Sequence, residues 1–107
     1  MPHHGGDDVS HPAYVRAVWP RAAILNNGET KGAGAKTLAM LHRSGRPRRL
    51  AAAPVGEPRR ENFADERIAN LDTTTGFGLK LSATDDGAFT ITNQRTGATR
   101  TFSRPSR

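Results

Sequence analysis

Apolar positions along this chain change their spacing several times, and each change marks an element. From residue 10 the spacing is helical: Tyr14, Val15, Val18 and Trp19 fall on one face, Ser10 or His11 stands where a cap belongs, Pro12 suits the first turn, and Pro20 closes the helix. The run Ala22-Ala23-Ile24-Leu25 is of strand length, and Asn26-Asn27-Gly28 supplies the turn that ends it. Residues 28–34 read as loop. Ala35, Leu38, Ala39, Leu41 and His42 mark a second short helix, with Gly45 and Pro47 as stop signals. A helix, a buried strand and a second helix in this order predict an α/β fold.

The middle of the chain has a different character. Arg43, Arg46, Arg48, Arg49, Arg59 and Arg60 stand against Glu57 alone and are mixed with Pro47, Pro54 and Pro58, so residues 43–61 read as a surface connection with a short strand around Leu50 to Ala53. Asn62 to Leu71 predicts a helical turn with Asn62 as cap, Glu66 near the capping-box position, and Ile68 and Leu71 facing inward. Beyond it Phe77, Leu79 and Leu81 alternate with polar or small residues, Thr84-Asp85-Asp86-Gly87 turns the chain, and Phe89 and Ile91 alternate with threonines. A second turn at Gln94 to Gly97 leads into Ala98 to Phe102, which gives an antiparallel three-stranded meander. Residues 103–107 read as a basic, frayed end. One partial domain follows: a polar loop over 1–9, helix–strand–helix over 10–42, the Arg/Pro-rich connection over 43–61, a short helix and meander over 62–102, and a tail.

Size and composition narrow the chemistry. At 107 residues with 35% apolar side chains, the chain supports a single, thin core. The net charge is +6, with 13 of the 16 cations arginine. Cysteine is absent, which excludes disulfides and thiolate zinc sites, so a metal would have to bind through His, Asp or Glu. No apolar run approaches the roughly 20 residues needed to cross a bilayer, and residues 1–10 lack the apolar centre of a secretory signal. The expectation is a soluble, cytoplasmic chain.

Few side chains carry a recognisable chemistry. No serine sits in a Gly-x-Ser-x-Gly frame. The glycines and lysines of residues 28–36 lack the spacing of a phosphate-binding loop. His11 reads as a helix-start residue and His42 as a partly buried structural one. Arg46, Arg48 and Arg49 could neutralise phosphates, which makes a small nucleic-acid-binding protein the alternative reading, although no aromatic residue stands among them to stack on bases.

Three segments in order carry a resemblance: His3-His4-Gly5; His11 to Val18 running into Pro20 to Gly28 and Lys31-Gly32; and Ile68 to Leu71 followed by Leu79 to Ala83, Asp86 to Asn93 and Arg95-Thr96-Gly97. Together they resemble the C-terminal region of metallo-β-lactamase-fold hydrolases of the competence-type extracellular group. The resemblance implies the second half of an αββα sandwich, a zinc ion in the intact fold held in part by His3 or His4, and a supporting loop at Asn26, Asn27 and Gly28. Full-length relatives in that group could be exported. The His-x-His-x-Asp-His loop, a further histidine and a bridging aspartate of that family do not occur in this sequence. A catalytic zinc takes three protein ligands and a water, so the expectation is a chain without hydrolase activity or tight zinc binding by itself. Its expected partners are a second copy or a separately encoded N-terminal half. Asp7 and Asp8 would add oxygens only to a weak, adventitious site.

Overall fold

In a computed structural model describing residues 1–7, 11–28, 30–44, 63–104 and 106, and the backbone of 48–51, helix α1 spans Pro12–Val18. His11 caps it, its Nδ1 accepting the Ala13 N–H at 3.2 Å. The helix ends at Trp19, whose φ of 48° is left-handed and whose N–H returns to the Val15 carbonyl. Strand β1 (Ala22–Leu25) turns Ala23 and Leu25 inward. Helix α2 (Ala35–Arg43) buries Thr37, Leu38 and Leu41. Strand β2 (Arg48–Ala51) lies parallel to β1, with Ala22 opposite Arg48 and Leu25 opposite Ala51. Two parallel strands joined across a helix form the basic α/β unit, so the described residues are a mixed α/β structure. Val15, Ala23, Leu25, Ala33, Leu38 and Leu41 make its core, with Met1, Met40 and Phe63 packed against it.

The meander follows as β3 (Leu79–Ala83), β4 (Phe89–Asn93) and β5 (Thr99–Phe102), hydrogen-bonded in that order and antiparallel throughout. Leu81 faces Ile91, which faces Arg100; Ala83 faces Phe89, which faces Phe102. The Phe89 and Phe102 rings stack 4.6 Å apart. At the first turn Gly87 takes a φ of +85° that an L side chain would adopt only with strain.

Several expectations need correction. Of the α1 face, only Val15 is buried; Tyr14, Val18 and Trp19 are about half exposed. The helix has two turns and one supporting surface, and the left-handed Trp19 leaves the helical face. The strand of the middle segment begins at Arg48 rather than Leu50, because pairing with Ala22–Leu25 sets its register; Ala52, Ala53 and the cap Asn62 lie outside the described residues. The helical turn expected within 62–71 is a single 3-10 turn at Asp65–Arg67. Ile68 after it is fully buried, but Leu71 is exposed. Asn70 closes the following loop, its Oδ1 accepting the Phe77 N–H at 2.7 Å and the Thr75 hydroxyl at 2.9 Å, which carries Leu71 outward. The meander's apolar face is incomplete: Ile91 is buried, whereas Leu81 and Phe77 are exposed, since β3 is an edge strand and Arg100 stands where a third apolar residue would complete the row.

Two arginines and one asparagine tie the meander down. Arg21, between α1 and β1, donates to the Gly87 carbonyl at 2.8 Å and to the Ser103 carbonyl, and its guanidinium lies 4.6 Å from the Phe89 ring centroid. Ser103 is therefore held, not frayed. Arg95 donates to the carbonyls of Asp65 and Ile68, and the buried Asn93 amide donates to those of Glu66 and Ile68. Removing one partner from a buried bond such as Asn93–Ile68 costs about 1–3 kcal/mol. Asn93→Ala is expected to lose that much stability in urea unfolding, without a change in the slope of the transition.

The Thr84 hydroxyl, and then the Ala88 N–H, hold the Asp86 carboxyl below its ordinary range. A lowered folded-state value means that the carboxylate supports the turn above the usual aspartate range and ceases to do so as pH falls through the lowered value. The Ala88 amide signal is therefore expected to titrate at a pH below that of an unstructured aspartate.

Candidate functional site

Residues 1–7 lie against the carboxyl end of β1 and the loop that leads into α2, the side of a parallel sheet where binding loops collect. Backbone hydrogen bonds make the docking. The Met1 nitrogen donates to the Ile24 carbonyl at 3.0 Å; the Ala33 N–H donates to the His4 carbonyl and the Gly34 N–H to the Gly5 carbonyl, each at 2.9 Å. To present those carbonyls the chain makes a 3-10 turn at Pro2–Gly5 in which His3 (φ 44°), His4 (φ 58°) and Gly5 (φ 80°) are successively left-handed. Each non-glycine residue in that region costs roughly 1–2 kcal/mol. The interlocking bonds hold it there.

The sequence supplies the fit. Gly5 is buried against Leu25, where a Cβ would approach the Leu25 side chain to 2.9 Å. At Gly32 a Cβ would overlap the His4 carbonyl and side chain, and the φ is again +80°. Asp7 reaches the start of α2, where Gly34 has no side chain with which to cap: its Oδ1 accepts the Thr37 N–H at 2.9 Å. The Thr37 hydroxyl donates to the Gly6 carbonyl at 3.2 Å. Asp7 is therefore a long-range helix cap, which corrects its reading as an oxygen donor to a weak metal site. Asp8 lies outside the described residues.

The turn brings two nominated segments together. The exposed His4 ring places Nδ1 2.6 Å from the Asn26 carbonyl oxygen. A carbonyl only accepts, so Nδ1 carries the proton and Nε2 is left as the acceptor nitrogen. Asn27 is buried, its side-chain amide donating to the Gly28 carbonyl, and the Gly28 N–H bonds to the Lys31 carbonyl at 2.9 Å, which closes the loop. The His3 ring lies 6.1 Å from that of His4, centroid to centroid. Among the described residues no three His, Asp or Glu side chains converge as metal ligands.

His11 and His42 belong to helices away from this site. His11 caps α1. His42 is exposed on α2 rather than partly buried, because the buried side of α2 runs through Thr37, Leu38 and Leu41. Arg46 lies outside the described residues, and Arg48 and Arg49 are strand residues opposite Ala22 and Ala23. No family model, curated protein or solved structure matches the chain.

Sequence reasoning missed the Asp7–Thr37 cap and the close approach at Gly32. The uncapped Gly34 is the local signal for the first; the partner, 30 residues away, has none. Asp7→Ala is expected to destabilise the fold by about 0.5–2 kcal/mol, as loss of a helix cap does. Gly32→Ala should undock the turn, seen as loss of the Nδ1-protonated signature of His4 in nitrogen-15 spectra of the imidazoles.

Proposed function

We propose that this chain is the C-terminal portion of an αββα metallo-β-lactamase-fold hydrolase, in which the His3-His4-Gly5 turn contributes one zinc donor, His4 Nε2. The observation that carries the reading is the 2.6 Å contact of His4 Nδ1 with the Asn26 carbonyl. A metal-binding histidine commonly gives its second ring nitrogen to a carbonyl, which fixes the tautomer and aims the free lone pair. The contact favours His4 over His3 as the ligand and gives the Asn26-Asn27-Gly28 loop the work of orienting it.

Zinc held by three protein ligands lowers the pKa of bound water toward ~7 and so supplies hydroxide near neutral pH. The donors described here do not fit such a centre. One imidazole nitrogen is insufficient, and the carboxylate of Asp7 is engaged at the α2 N-terminus. The remaining ligands belong, in this reading, to segments outside this sequence, in the same polypeptide or a separate one.

Isothermal titration with zinc and mixing with a half that carries His-x-His-x-Asp-His test this. The expected result is stoichiometric zinc and hydrolysis of generic phosphoester or lactam substrates by the mixture only, both lost with His4→Ala and retained with His3→Ala. Zinc-dependent turnover by this chain alone, or no zinc uptake by the mixture, would overturn the proposal.

A further inference from the structure

Between α1 and α2 lies an open cleft of about 690 Å³, inside the range of roughly 300–1,000 Å³ usual for small-molecule pockets. Two helix faces build it. Val15, Arg16 and Trp19 come from α1 and its cap, and Lys36, Met40 and Arg43 from successive turns of one side of α2. Val15 is buried and forms the apolar floor; Trp19 stays 56% exposed although it is the chain's single tryptophan and would bury the largest apolar area available. Arg16, Lys36 and Arg43 are exposed along the rim. Among the described lining residues the one carboxylate is Asp7, already bonded to the α2 N-terminus. An apolar floor under three cations complements one kind of ligand.

We infer that the α1–α2 cleft binds small organic anions: an aromatic or aliphatic body lying against Val15, Trp19 and Met40, with a sulfonate, carboxylate or phosphate paired to Lys36 and Arg43. Neither the His4 turn nor its metal takes part, so the site is independent of the hydrolase reading. Its selectivity comes from charge, because the floor alone accepts any apolar body of suitable size. Exposed cations are screened by salt, so affinity falls as ionic strength rises.

Trp19 reports occupancy directly. The full chain is titrated with 1-anilinonaphthalene-8-sulfonate and with N-phenyl-1-naphthylamine, which has the same rings without the charge, and tryptophan quenching is followed. The expected result is one site that prefers the sulfonate. In the doubly substituted Lys36→Gln, Arg43→Gln chain the preference disappears through a drop of roughly 3–20-fold in sulfonate affinity, the scale of two exposed ion pairs. Both positions are at the surface, and an unchanged near-ultraviolet circular dichroism spectrum shows that the variant is folded. Met40→Phe, which crowds the floor of the cleft without adding a second tryptophan, is expected to weaken both dyes. Equal affinity for the two dyes in the wild type, or a sulfonate affinity that survives the double substitution, would overturn the inference.

Discussion

Docking of residues 1–7 on the β1–α2 connection is the constraint on which the rest of this small structure depends. It is made mainly by backbone groups, and it requires two histidines in a conformation that L residues rarely adopt. The same contacts cover the end of β1, cap α2 through Asp7 and put His4 beside Asn26. Loss of the turn would therefore expose Leu25, uncap a helix and dissolve the candidate site together. Strain at a site persists only when its surroundings over-determine it, and here the surroundings are also the core.

Much of the architecture was legible because its signals are local. Pro12 and Pro20 bracket α1, the Ala22–Leu25 run gives β1, and strict alternation around Thr84–Gly87 gives the meander. What escaped depends on contacts distant in sequence. Nothing near Arg48 states that its strand will pair with Ala22, and nothing near Leu71 states that Asn70 will turn it outward. Periodicity marks the α1 stripe as apolar, but burial depends on how much surface arrives to cover it, and only Val15 is buried.

The candidate site was legible in part for the same reason. His3, His4 and the Asn26-Asn27-Gly28 loop stood out by composition, yet the choice between the two histidines needed a distance. The Asp7 carboxylate is placed by the unsatisfied N–H groups at the start of α2, a role that needs no ion. A carboxylate already committed to a helix terminus is a poor candidate for anything else.

Arg21 and Arg95 fasten the meander chiefly through hydrogen bonds to main-chain carbonyls, Arg21 adding a contact with the Phe89 ring. Such a clasp recognises the path of the backbone and is indifferent to most of the letters written along it, so the sheet's outward positions carry little of the fastening. The clasps themselves have little latitude: a forked, planar guanidinium reaches two carbonyls at once, a geometry that lysine does not offer.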